Sequence, residues 1–286
     1  MSPWFPHPLP WYVAGPLIGL IVPVLLLLGN RPFGVSSNLR HVCAAVAPCG
    51  IEYFKHDWKR VGLWNLVFLC GIFAGAMLAS QLAPPSVVSL SERTVAALKQ
   101  LGLHDLTGLA PREVFAWGSL FTLKGGVRIF RGRSGGNVPG ASVAAAVIRL
   151  VLPYFLLGTA FGFVIVESEA VSWFRIQEMF RFDAFHMYGI LSTAVLTAAV
   201  SVLIIKRLGV RDGEGTPLGF PPKTLGSGVR YLAGGTAFGL GWALTGACPG
   251  PIIALIGAGS TVMIVTLLSA LAGTWTYGFV RHRLPH

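Results

Sequence analysis

Tyr231-LAGGTAFGLGWALTGACPGPIIALIGAGSTVMIVTLLSALAGTWTYGF-Val280 decides the fold: it runs fifty residues without an Asp, Glu, Lys or Arg. A helix needs about 20 mostly apolar residues to cross the hydrocarbon of a bilayer. The run is therefore long enough for two crossings, with a turn near Gly257–Ser260. The first crossing is interrupted by Gly246-Ala-Cys-Pro-Gly-Pro251. Two prolines beside two glycines do not sustain a regular helix, so this crossing reads as a broken helix with an unwound stretch at membrane depth.

Working outward, residues 11–29, 61–91, 150–166 and 184–205 also carry no Asp, Glu, Lys or Arg. The whole chain is 53% hydrophobic and 12% charged, about half the charged share of a soluble domain. Such a composition cannot make an ordinary water-facing surface. The expected fold class is all-α, a polytopic helical membrane protein with broken or re-entrant helices. MSPWFPHPLP at the start has no basic residue before its apolar run and no small-residue cleavage pattern after it, so residues 11–29 are expected as a retained helix rather than a signal peptide.

The net charge of +11 would suggest nucleic acid in a soluble protein. Here the basic residues sit in short loops beside apolar segments, which is the pattern that membrane topology produces, and no nucleic-acid partner is expected. Clusters at 31–60, 124–149 and 206–230 belong on the cytoplasmic side. The loop at 167–183, with Glu167, Glu169, Glu178 and Asp183 against Arg175 and Arg181, belongs outside, as does 83–113. A crossing is then needed between 83–113 and the basic loop that follows. The only candidate is Val114–Phe130, which is short and holds Lys124 and Arg128.

Three small-xxx-small pairs suit close helix packing: Gly71/Gly75, Gly158/Gly162 and Gly235/Gly239. The last two sit in the same pentapeptide, Gly-Thr-Ala-Phe-Gly, a faint sign of internal repetition.

Candidate chemistry gathers at the broken helix. Irregular backbone at membrane depth is tolerated only where it is buried in protein or lines a watery cavity. A half-helix starting after the break presents free N–H groups and a positive dipole end to an anion. Cys248 stands just before that start, where its thiol can donate a hydrogen bond. The competing reading is a proline kink with a small residue packed beside it. A second candidate is Arg40-His-Val-Cys-Ala-Ala-Val-Ala-Pro-Cys-Gly50, an apolar stretch too brief to span and expected as a re-entrant or interfacial segment. His41, Cys43, Cys49 and His56 match no metal-ligand spacing, and neither a metal nor a cofactor is expected. A third is Ser172–Tyr188, whose Trp173, Phe174, Phe180, Phe182, Phe185 and Tyr188 suit an interfacial aromatic belt. Within it Arg175 is expected to draw anions into an outer vestibule, with Glu178 as its counter-ion, and His186 is expected to be satisfied locally. Cys70, inside an apolar helix, is expected to act as a small hydrophobe.

SWFRIQEMFRF, AFHMYGI, FGLGWALTGACPGP and LLSALAGTW, together with SSNLRHVCAAVAPCGIEYFKHDWKRVGLWNLVFLCGIFAGAMLA near the start, resemble the YeeE/YedE family of sulfur-compound transporters, known for thiosulfate uptake. The resemblance implies a multi-pass protein of a bacterial inner (cytoplasmic) membrane, not an enzyme. It also implies two pseudo-symmetric modules, here 1–140 and 141–286, with thiosulfate or a related anion passed between cysteine thiols by hydrogen bonds. It places Cys248 at the centre of substrate binding, with Thr245, Gly246, Pro249 and Gly250 around it and Cys43 as the early cysteine. A cytoplasmic sulfur-acceptor protein is an expected partner. The family's second motif, Gly-Gly-Cys-Thr-Ser-Gly-His, has no counterpart here, and no cysteine lies between Cys70 and Cys248, so the first module reads as incomplete. Two alternatives stay open: a membrane sulfurtransferase or redox enzyme using Cys248 with Cys43 as acceptor, and a degenerate inactive member.

Overall fold

The computed structural model describes residues 8–31, 34, 37–46, 51–82, 88–111, 141–211, 218–219 and 228–281. The candidate crossing Val114–Phe130 and Cys49 lie outside the described residues. All the described regular elements are helices: α1 (Trp11–Gly29), α2 (Ser37–Val46), a 3-10 turn (Glu52–Phe54), α3 (Trp58–Val61), α4 (Leu63–Leu82), α5 (Glu92–Gln100), α6 (Ala141–Glu167), α7 (Trp173–Phe180), α8 (His186–Leu208), α9 (Val229–Thr245), α10 (Pro249–Gly257) and α11 (Met263–Val280). Among the described residues five helical stretches are long and apolar enough to cross a membrane: α1, α4, α8, 231–257 counted through the break, and α11. The expected spans at 11–29, 61–82, 184–205 and the two in 231–280 are therefore present, whereas 150–166 falls in a shorter apolar helix, Val151–Glu167, and the turn after the broken helix falls at residues 258–262.

The helix ends follow from local chemistry. α1 stops at Asn30, which takes the left-handed conformation (φ 51°). α8 stops at Gly209 (φ 59°) with Lys206 and Arg207 in its last turn, where basic side chains complement the negative dipole end and face the basic side of the membrane.

Glycine decides how the long helices pair. In α4, Gly71 and Gly75 lie against the Phe155 and Thr159 carbonyls of α6, and Gly158 and Gly162 of α6 lie against the Phe68 and Ile72 carbonyls of α4. A Cβ at any of the four would run into the opposing backbone, so both small-xxx-small pairs serve the close approach anticipated for them. α1 and α8 pair similarly, Gly15 and Gly19 facing Thr193 and Ala194, and Gly189 facing Trp11. The repeated pentapeptide is used unequally: among the described residues, no atom outside the helix's own backbone lies within 4 Å of the point a Cβ would take on Gly235 or Gly239. Gly75→Ala is expected to cost about 1–3 kcal/mol, because α4 and α6 must separate to admit the methyl group. Thermal unfolding in detergent measures this, and an unchanged midpoint refutes the contact.

Each of the two main pairs, α4 with α6 and α1 with α8, takes one helix from either side of residue 140. A reciprocal arrangement is laid over them. Short α2 precedes long α4 and short α10 precedes long α11, while α10 packs on α4 and α2 packs on α11. Each short helix thus rests on the other unit's long helix. The core between them includes Phe68, Ile72, Ala76, Phe161, Ala254, Leu255 and Met263.

Two helices were read from the sequence as loop. α5 is capped by Ser91, whose side chain accepts from the Thr94 amide. α7 buries Trp173, Phe174, Ile176 and Met179. Both are short, and both lie in stretches that carry charge, where a search for apolar runs does not find them.

Candidate functional site

The break between α9 and α10 has a definite local cause. α9 closes at Gly246, which adopts φ 62° and returns its N–H to the Trp242 carbonyl at 2.7 Å. Cys248 is extended (φ −96°, ψ 170°), as the residue before a proline prefers to be. Pro249 then opens α10 at its first position, where a missing N–H costs nothing. The first bond of the new helix runs from the Ile252 N–H to the Cys248 carbonyl at 3.0 Å. Cys248 is half-buried and its side chain does not cap the helix. The Thr245 hydroxyl stays on the local backbone, 2.8 Å from the Gly241 carbonyl and 3.2 Å from that of Ala247. Thr245, Gly246, Cys248, Pro249 and Gly250 are thus gathered in one short segment.

α7 frames the break from outside. Gln177 Nε2 donates to the Ala243 carbonyl at 3.0 Å, satisfying an acceptor in the last turn of α9. Phe180 meets Trp242 edge to face with ring centroids 5.5 Å apart. The Trp173 ring lies directly against Gly246, so Gly246 is required twice, by its positive φ and by the ring.

Arg175 sits elsewhere on α7, paired with Glu178, the counter-ion expected for it, and with Glu169. It is 8% exposed. Its Nε donates to Glu169 at 2.7 Å, its Nη1 donates to Glu178 at 3.0 Å and to the Ser89 carbonyl at 3.0 Å, and its Nη2 lies 3.4 Å from Ser89 Oγ. A guanidinium held between two carboxylates has little charge left to draw an anion. Glu178 extends the network by accepting the Ser91 N–H at 2.6 Å, and Asp183 accepts the Thr94 hydroxyl at 3.0 Å. The network fastens α7 to the segment at 88–111. The aromatic belt divides likewise: Trp173 and Phe174 are buried, whereas Phe182 and Phe185 are exposed. His186 Nε2 pairs with the Ser168 carbonyl at 2.9 Å, the local satisfaction expected of it. Cys70 is exposed on α4.

Cys43 is buried on α2, and its thiol donates to the Leu271 carbonyl of α11 at 3.6 Å. α10 and α11 form a hairpin through 258–262. At 1.5 Å rise per residue, Cys248 is about 13 Å back from that turn along α10 and Leu271 about 12 Å back along α11.

Cys43 packs with Ala44, Phe54, Tyr53 and Leu271, and α2 also carries polar pairs. Asn38 Nδ2 donates to Asn65 Oδ1 at 3.0 Å, and His41 Nδ1 and His56 Nε2 share a hydrogen bond of 2.9 Å. Burial pushes His41 below its ordinary value near 6.5, and the neighbouring His56 and Arg40 add to the effect. Burial and Arg40 also lower His56, against the Phe54 carbonyl and Asp57. An unfolded chain takes up these protons as pH falls through about 6.5, before the folded one does. Stability present above that pH is therefore lost on acidification. Melting of the detergent-solubilised protein is expected to fall between pH 7.5 and 5, and His41→Gln with His56→Gln to flatten the dependence. Equal slopes would show that the pair does not carry it. Among the described residues no three His, Cys, Asp or Glu side chains gather as metal ligands.

The family model for sulphur transport matches residues 168–282, the stretch that holds α7, α8, both half-helices of the break and α11. A protein of Xylella fastidiosa (strain Temecula1 / ATCC 700964) described as a probable transporter is 30% identical over 119 residues, covering 40% of this chain and 79% of the relative. The chain belongs to the YeeE/YedE sulphur-transport family. As a member of that family it is a multi-pass membrane transporter. The part that carries the sulphur-transport match includes Cys248 and the α7 frame, while Cys43 and α2 lie outside it. No solved structure matches.

Proposed function

We infer that the protein carries thiosulfate or a related small sulfur oxyanion across a bacterial inner membrane, with the α9–α10 break as the binding point and Cys248 as the central contact. The observation that carries this reading is the position of Cys248: a half-buried cysteine at the cap of a half-helix, in backbone that leaves the helical form inside a membrane-spanning stretch. An anion there meets the positive end of α10 and a thiol donor. Gly250 brings no side chain to the start of α10, Gly246 makes room for the Trp173 ring, Pro249 sets the start of the half-helix, and Thr245 closes the end of α9. Cys43, bonded to the Leu271 carbonyl of α11, is the second thiol contact. The reciprocal packing of α2–α4 with α10–α11 supports two related halves, 1–140 and 141–286. A soluble sulfur-acceptor protein on the cytoplasmic side would take the released anion onward.

Passage by hydrogen bonding leaves the protein unmodified. Purified protein in proteoliposomes is expected to accumulate radiolabelled thiosulfate, with excess unlabelled thiosulfate competing. Absence of uptake overturns the reading. A persulfide or mixed disulfide on Cys248, seen by mass spectrometry after thiosulfate exposure, would replace it with a sulfurtransferase.

A further inference from the structure

The start of α10 is short of donors for a site meant to hold an anion. Of its first three residues, Pro249 and Pro251 have no N–H, so Gly250 alone brings an amide there. The Ile252 N–H is already bonded to the Cys248 carbonyl. The helix dipole remains, but directed hydrogen bonds must come from elsewhere.

A donor stands beside it. Trp173 is 8% exposed, and its Nε1 is buried with no hydrogen-bond partner among the described residues. That nitrogen lies 3.1 Å from the point a Cβ would take on Gly246, two residues before Cys248. Buried tryptophan N–H groups ordinarily find a partner, and leaving one unpaired costs stability unless a ligand fills the place. The neighbours on α7 are occupied: Gln177 on the Ala243 carbonyl and Arg175 on its two carboxylates.

We propose that the indole N–H of Trp173 is a substrate ligand, donating a hydrogen bond to an oxygen or terminal sulfur of the anion held at the α9–α10 break. The proposal rests on the reading of that break as the binding point and adds what makes it selective. An indole N–H donates and never accepts, so it favours a deprotonated oxyanion over a protonated or neutral sulfur species. It is also uncharged, so it orders the anion without holding it as tightly as a lysine or arginine, and a transport path needs binding weak enough to release.

The test compares thiosulfate affinity of the purified full chain by calorimetry. Trp173 is replaced by 3-benzothienylalanine, which keeps the ring's shape and removes only the N–H; Trp173→Phe is a second variant and Cys248→Ala a control for the underlying reading. The expected result is about a tenfold loss of affinity for each Trp173 variant, the size of one hydrogen bond to a charged partner. Because benzothienylalanine preserves packing, its melting temperature should match the wild type. Wild-type affinity in the benzothienylalanine protein, with Cys248→Ala impaired, overturns the role of Trp173 and leaves the site standing. Wild-type affinity in all three overturns the site and the proposal with it.

Discussion

Cys248→Ala is expected to abolish thiosulfate uptake while the protein still reaches the membrane and melts near the wild-type temperature. The thiol is half-buried and caps nothing, so its removal takes away a donor without opening a sealed core. Backbone geometry at the break is set by the left-handed Gly246 and by Pro249, and neither depends on the sulfur. Losing one directed contact to a charged partner costs about 1.5–3 kcal/mol, roughly 10–150-fold in occupancy, and the other donors at the break are few. Cys248→Ser keeps a hydroxyl donor at nearly the same place and should recover part of the uptake if hydrogen bonding is the mode of passage. A serine variant as dead as alanine points to covalent sulfur chemistry. An alanine variant with normal uptake removes Cys248 from the path.

Arg175→Met is expected to be the most destabilising single change, at about 3–5 kcal/mol. Its cation holds Glu169 and Glu178, which are 8% and 1% exposed. Deleting the cation strands two carboxylates in a poorly hydrated pocket. The triple change Arg175→Met, Glu169→Gln and Glu178→Gln should regain much of the loss, because burying neutral amides is far less costly than burying unpaired charge. Unfolding midpoints in detergent decide the matter. If Arg175→Met melts with the wild type, the network does not hold α7. If it melts normally and only raises KM for uptake, Arg175 serves the vestibule role suggested by its sequence setting. Since α7 also carries Gln177 and Trp173, a loosened α7 should reduce uptake together with stability.

The spans were legible because bilayer thickness imposes a length and a charge rule on every crossing, so α1, α4, α8 and the pair from 231 to 280 appear as charge-free runs. The break was legible for a different reason: proline geometry is local, and no helix runs unbroken through Gly246-Ala-Cys-Pro-Gly-Pro251, although Pro249–Pro251 already belong to α10. Small-xxx-small pairs were legible as a kind of contact but not as an assignment. Gly158/Gly162 and Gly235/Gly239 share one pentapeptide, yet only the first meets a neighbouring backbone among the described residues.

Arg175 and Trp173 show where reading the sequence stops. A charged residue in an outer loop looks available to an anion, and an aromatic beside it looks like part of an interfacial belt. Whether either is so depends on what folds over it from 80 residues away, and the segment at 88–111 folds over both. By itself the sequence determined that this is a helical membrane protein with one helix broken at Cys248, since those properties follow from length, charge and proline stereochemistry along the chain. Only the tertiary structure decided which side chains reach the break, because burial and hydrogen-bond partners come from distant segments: it encloses Arg175 between Glu169 and Glu178, and among the described residues it leaves the indole N–H of Trp173 without a hydrogen-bond partner beside Gly246.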